Sequence, residues 1–134
     1  MSYLLDTNIV TAILKRNEKV NRKVLQVRRQ KQALFISCIS YYEIKRGLIA
    51  VNATRQLVRL NDLCQLTNIL LLDNLGILET ASTLHADLKQ RGKPIQDADI
   101  LIAATAMTQG LTLVSDDTDM LRIPGLMVEN WLRQ

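Results

Sequence analysis

The sequence predicts an α/β protein, a three-layer α/β/α arrangement around a central, mainly parallel sheet of four to five strands. Three observations lead there. Short apolar runs, too brief for helices, alternate along the chain with amphipathic segments, and that order calls for a parallel sheet covered on both faces. One helix-length segment, Ile100 to Ala106, is apolar nearly all round and rich in Ala, as suits a helix packed closely on a sheet. The 134 residues, read as a single domain 1–134, show no repeat, linker or low-complexity tract and are too few for two cores.

Tyr3-Leu4-Leu5 is the first strand, and it runs straight into Asp6-Thr7-Asn8. Ile9, Val10, Ile13 and Leu14 then keep helical spacing, giving a helix from about Thr7 to Lys15. A second helix covers roughly Glu18 to Gln30, with Val20, Val24 and Val27 turned inward. Ala33 to Ser37 is the second strand. Ser40-Tyr41-Tyr42-Glu43 has the form of a capping box and is expected to open the next helix, ending near Val51. Thr54 to Thr67 is a helix with Leu57, Leu60, Leu63 and Cys64 on its inner side, Ile69 to Leu72 a short strand, and Asp73 the expected cap of a helix from Leu75 to Gln90. The region 53–92 therefore reads as a pair of helices inserted at the side of the sheet, with a strand between them. Gly92 and Pro94 break the chain before the buried helix, which Asp97 is expected to cap and Gly110 to end. Leu111 to Ser115 is the fourth strand, and Leu126 to Val128 an edge strand before Trp131.

Composition narrows the functions. Hydrophobic residues at 48% and charged residues at 22% are ordinary for a soluble globular chain, no apolar run is long enough to span a bilayer, and no secretory signal is evident, so a cytoplasmic protein without a membrane role is expected. Cys38 and Cys64 lack zinc or disulfide spacing and read as reduced core residues. His85 is the only histidine, which leaves a Ser-His-Asp mechanism little support. The net charge of +4 is uneven. Residues 15–31 carry eight cations against Glu18 alone, a net of +7, so the remainder carries −3. A basic lobe of that kind suits a polyanion, and Arg22, Lys23, Arg28 and Arg29 are its candidate contacts; a solvated helix face is the plain alternative.

The acids fall at telling places. Asp6 ends the first strand, Glu43 follows the second, Asp97 and Asp99 open the buried helix, and Asp116, Asp117 and Asp119 follow the fourth strand. In a parallel sheet these positions lie at one end, the end where ligands bind. Each acid has a local alternative, as a helix cap or a solvated turn. Together they would repel strongly unless a cation neutralised them, and an all-oxygen set suits a hard ion, Mg²⁺ or Mn²⁺. Such an ion activates water and stabilises phosphodiester cleavage. Asp97 and Asp99, two apart on a helix, do not share a face, and Asp97 is a good N-cap.

Four segments resemble the signatures of PIN domains: Leu4-Leu5-Asp6-Thr7-Asn8; Ser40-Tyr41-Tyr42-Glu43 with Gly47; Asp99 to Ala106; and Leu113-Val114-Ser115-Asp116-Asp117-Thr118-Asp119. Ile123-Pro124-Gly125-Leu126 and Glu129-Asn130-Trp131 resemble the ending of the VapC-type toxin ribonucleases within that family, of type II toxin–antitoxin systems. The resemblance implies a PIN-like fold, a Mg²⁺-dependent endoribonuclease, a cognate VapB-type antitoxin, and assembly as a homodimer and as a hetero-oligomer with the antitoxin. It implies Asp6, Glu43, Asp99 and Asp117 as the catalytic acids. Asp6 and Asp99 are the implied metal ligands, with Thr7, Asn8, Ser115 and Asp119 in support and Asp97 and Asp116 as further acids. Ser115 stands where Thr is commoner, and Met120 where Phe is frequent. Two other functions compete: a phosphoacceptor receiver-like signalling domain, with Asp73 as acceptor but no Lys after the fourth strand, and a non-catalytic PIN scaffold that binds RNA. DNA cleavage is not separable from RNA cleavage by residues alone.

Overall fold

A computed structural model describes residues 1–133. Five short strands form one sheet in the order β3-β2-β1-β4-β5, every neighbouring pair parallel. They are β1 (Tyr3–Leu5), β2 (Leu34–Ser37), β3 (Asn68–Leu70), β4 (Thr112–Val114) and β5 (Val128–Glu129). The helices are α1 (Thr7–Leu14), α2 (Glu18–Arg29), α3 (Cys38–Ala50), α4 (Thr54–Leu66), α5 (Leu75–Gln90) and α6 (Asp97–Gln109), with a 3₁₀ turn over Thr118–Arg122. The three-layer expectation holds.

Alternation along the central strands sends their side chains into two cores. Tyr3, Leu5 and Val114 point into a core closed by α1 to α4 and Trp131, while Leu4 and Leu113 point into one closed by α5 and α6. Leu4, Leu5 and Leu113 have no exposure at all, and burial of that kind is worth roughly 1.5–3 kcal/mol per side chain. Val20, Val24 and Val27 are buried as their spacing predicts. On α6, Ile102, Ala103, Ala104 and Ala106 have no exposure, and Gly110 ends the helix at φ +67°.

Five local expectations are corrected. Helix α3 begins at Cys38, and its cap is Ser37, whose Oγ accepts from Ile39 N at 3.1 Å. Strand and helix join there without a loop, so Ser40 and Glu43 lie one turn inside the helix and form no capping box. Asn74 rather than Asp73 caps α5, its Oδ1 accepting from Gly76 N at 2.8 Å. Gln96 rather than Asp97 precedes α6, with no side-chain cap. The region 53–92 is no lateral insertion: α4 and α5 cover opposite faces, and β3 pairs with β2 as part of the main sheet. Cys38 and Cys64 are free but half-buried, not core residues.

The strand order decides where a ligand can enter. From β1 the chain builds outward through β2 to β3, then crosses back to place β4 on the other side of β1. The connections after β1 and β4 therefore diverge to opposite sides of the sheet and leave a crevice at their carboxyl ends. Asp6 follows β1, and Ser115, Asp116 and Asp117 follow β4.

Candidate active site at the carboxyl edge of the sheet

Asp6 is the buried centre of that crevice, 2% exposed. It does cap α1, since Oδ1 accepts from Thr7 N at 2.8 Å. Its other oxygen, Oδ2, accepts from Ser115 Oγ at 2.7 Å, across the switch between β1 and β4. The capping and ligand readings of Asp6 are thus compatible: two bonds hold the carboxylate in place and leave its remaining lone pairs for the crevice. Ser115 Oγ also accepts from Asp117 N at 3.0 Å, so one hydroxyl sets the positions of two acids. Asp117 in turn caps the 3₁₀ turn, accepting from Asp119 N at 2.9 Å.

Glu43 arrives from α3. Thr7 Oγ1 lies 3.1 Å from Glu43 Oε1 and 2.8 Å from Ser40 Oγ. Thr7 has one hydroxyl proton, so satisfying both contacts requires Ser40 to donate to Thr7 while Thr7 donates to Glu43. This relay ties α3 to the start of α1. Asn8 does a parallel service, its Oδ1 accepting from Asp116 N at 3.0 Å.

Asp99, in the first turn of α6, completes the group. Its carboxyl is pushed up to about 6, first by burial and then by Asp6, Asp117, Glu43 and Asp119. Every charged neighbour acting on it is another carboxylate. Asp6 is also raised, chiefly by burial and further by Asp117 and Glu43, against the lowering effect of its bonds from Ser115 and Thr7. The structure therefore brings Asp6, Glu43, Asp99 and Asp117 within electrostatic reach of one another, with Asp119 at the margin beside Arg122, 3.1 Å away.

Other candidates go elsewhere. Asp97 is exposed, its Oδ1 3.9 Å from His85 Nδ1, and stands apart from the acids. Asp116 turns away: Oδ1 accepts from Asn130 Nδ2 and from Arg133 Nε, both at 2.8 Å, and these bonds hold its carboxyl below the ordinary range. Asp73 is exposed after the edge strand β3 and is not among the acids acting on Asp6 or Asp99. The basic segment divides. Arg22 and Lys23 line a cleft with Trp131, whereas Arg28 borders an apolar groove against α4. Sequence reasoning missed Asn130 and Arg133 as partners of Asp116, and Ser40 as the partner of Thr7, because each bond joins segments that no local pattern relates.

The donor set is all oxygen, which fits a hard divalent cation. Among the described residues, no three Asp, Glu, His or Cys side chains close into a ready-made cage. Mg²⁺ does not require one, since it retains waters and takes one or two carboxylates together with substrate phosphate. Unneutralised carboxylates around a buried Asp6 are what such an ion relieves.

A profile described as the PIN domain matches residues 3–126. The chain belongs to the PIN-domain family. This PIN domain is 27% identical to the ribonuclease VapC2 of Rickettsia felis, an alignment covering 98% of each chain, and 26% identical to a ribonuclease VapC1 of Haemophilus influenzae, covering 99% of this chain and all of the relative. Among solved structures it resembles VapBC2 of Rickettsia felis bound to a promoter DNA fragment, with a TM-score of 0.90, 25% identity and coverage of 98% and 99%. It also resembles VapBC-1 of nontypeable Haemophilus influenzae, with a TM-score of 0.83, 26% identity and coverage of 99% and 100%. No helix among the described residues is long and apolar enough to cross a membrane.

Proposed function

We propose that this PIN domain is a toxin ribonuclease of a toxin–antitoxin pair, an endoribonuclease that needs Mg²⁺ or Mn²⁺ and cuts RNA phosphodiester bonds with water. The observation that carries the reading is the convergence of Asp6, Glu43, Asp99 and Asp117 on one crevice, in a chain whose relatives are ribonucleases over their whole length. Asp6 and Asp99 would hold the ion. When bound there, it supplies Lewis-acid stabilisation of phosphate charge and lowers the pKa of a water.

The protein's own groups do the rest. Ser115 and the Thr7 amide fix Asp6, Ser115 also fixes Asp117, and the Ser40–Thr7 relay orients Glu43. A carboxylate in this group is placed to take the proton that the attacking water loses. The antitoxin reading is supported by the VapBC complexes among the structural relatives and by the surface of α4. Both flanks of that helix are clefts, about 370 Å³ against α3 and about 300 Å³ against α1 and α2, and Val58 and Leu66 stand exposed on it. A VapB-type antitoxin laid along α4 would cover them.

The test is cleavage of RNA by purified protein with Mg²⁺ or Mn²⁺, with chelator, and with Asp6→Asn. Loss of cleavage in the last two is expected. Activity that persists through both removes the reading.

A further inference from the structure

We propose that α2 and the C-terminal segment form a phosphate-binding cleft that holds the backbone of a single-stranded RNA beside the acidic edge. The cleft, about 310 Å³, is lined by Lys19, Arg22, Lys23, Gln26 and Trp131. Lys19, Arg22, Lys23 and Gln26 recur at the three- and four-residue spacing that puts them on one face of α2. Among the described residues no acid lines the cleft, and Glu129, which accepts from Trp131 Nε1 at 3.0 Å, is not among its lining residues. Among the described residues, none of its three cations takes part in an ion pair; the four pairs present involve His85, Arg91, Arg122 and Arg133. Three unpaired cations around a concavity are a site for an anion with several charges.

The lining also indicates how that anion is read. Trp131 is 1% exposed, with Tyr3 against its ring at 5.2 Å and Lys23 Nζ 6.0 Å from its centroid. A ring so covered cannot serve as a stacking platform for a base. It is a rigid floor that supports the Lys23 stem. Cations and an amide on such a floor contact phosphate and sugar without selecting a base. An acidic peptide would favour apolar surface beside the charge, and on α2 that lies on the other face, where Leu25 borders the groove against α4.

One hydrogen bond and two chain neighbours relate the cleft to the end of β4. Trp131 follows Asn130, whose Nδ2 donates to Asp116, the chain neighbour of Asp117. A strand seated at Lys19, Arg22 and Lys23 therefore lies against the C-terminal segment that also clasps the residue after Ser115. The proposal rests on the ribonuclease reading for its choice of polymer, but its test does not depend on cleavage.

The experiment uses the full chain carrying Asp6→Asn and a fluorescein-labelled single-stranded RNA, with affinity measured by anisotropy across a series of salt concentrations. Lys19→Gln with Arg22→Gln and Lys23→Gln is expected to weaken binding at least tenfold at low salt. It should reduce the slope of log K against log salt by about two, the value for three lost phosphate contacts on a single strand. The matched triple Arg55→Gln, Lys89→Gln, Lys93→Gln removes the same charge from exposed positions outside the cleft and should leave the slope near its starting value. Lys19→Arg with Lys23→Arg should retain it. Equal slopes for the two Gln triples would make the effect a diffuse field and overturn the cleft. A change seen on duplex DNA of the same length, but absent on RNA, would overturn the choice of polymer. Cleavage by the unsubstituted protein, run in parallel, reports on the ribonuclease reading separately.

Discussion

At Asp116 the carboxylate meets Asn130 and Arg133, each at 2.8 Å, and its pKa falls below the ordinary range. One residue later, Asp117 joins the edge where Asp6, Glu43 and Asp99 gather, and there Asp99 is pushed up to about 6. Both regions are acidic, and each takes one of the two neighbouring acids that follow β4. In the C-terminal clasp each negative charge finds a donor or a cation. At the crevice the donors present, the Ser115 and Thr7 hydroxyls and two amides, position the acids without cancelling their charge. Folding alone gains nothing from that arrangement, since like charges gathered by burial cost stability. The contrast separates acids that hold the chain together from acids whose charge the fold leaves uncompensated, as the proposed cation site requires.

The largest effect should come from breaking the crevice itself. Asp6→Asn keeps an oxygen for the Thr7 amide and removes the charge, and Asp99→Asn removes the group that all the others act on. Each is expected to lower RNA cleavage by about three orders of magnitude, the scale on which a positioned electrostatic group contributes. Circular dichroism and the unfolding midpoint should remain those of a folded protein. Near-normal cleavage by either variant would place the chemistry elsewhere.

Ser115→Ala sharpens the comparison at its hinge. The substitution leaves Asp6 Oδ2 without its donor and Asp117 N without its acceptor. Positioning groups around a metal site typically contribute 10–100-fold in affinity or activity, and a loss of that size in Mn²⁺ affinity, read by titration calorimetry, is expected. Affinity equal to that of the unsubstituted protein would mean that the acids hold their places without the hydroxyl.

The pH dependence of the metal-free protein follows from Asp99. Its folded pKa of about 6 lies above the ordinary value of 3.8, so between those values the folded state binds more protons than the unfolded. The stabilising contribution is full below about 3.8 and is lost as pH rises through about 6. The full shift would correspond to about 3 kcal/mol, and solvent screening of a part-exposed group reduces it to about 1–2 kcal/mol. In chelator, denaturant midpoints should therefore fall between pH 5 and pH 7, less so in Asp99→Asn, and Mg²⁺ should restore stability at pH 7. Parallel pH profiles for the two proteins would contradict the coupling.

These differences also explain what could be read in advance. The layers were legible because burial imposes a period on each element: Val20, Val24 and Val27 mark one face of α2, and the alternation of Tyr3, Leu4 and Leu5 marks two cores. Asp6, Asp99 and Asp117 were legible because each sits at a strand end or a helix start, whereas Glu43 lies inside α3. Element starts were less so. Ser40 was the expected cap of α3, but β2 passes into the helix without a loop and Ser37, its last residue, caps it. Three helices end in Arg16, Lys31 and Asn52 at positive φ, where the sequence offers no glycine as a signal. The fate of Asp116 was not legible at all, because its partners lie 14 and 17 residues further along the chain.

The smallest effect is expected at the clasp, and it completes the contrast. Asp116→Asn keeps an acceptor for Asn130 and loses only the charge facing Arg133, an arginine whose side chain is largely exposed. Exposed pairs of this kind contribute little. Cleavage should change by less than about threefold, the scale of an exposed charge pair, and Mn²⁺ affinity should match that of the unsubstituted protein. The sign of the pH effect is opposite to that at Asp99: a lowered carboxyl stabilises above its unfolded pKa and loses that contribution as pH falls through its folded value. Asp116→Asn should therefore remove a small acid-side loss of stability, while Asp99→Asn removes a fall toward neutral pH. A large drop in metal affinity on Asp116→Asn, with Arg133→Gln unaffected, would place Asp116 among the acids of the crevice and erase the boundary between the two regions.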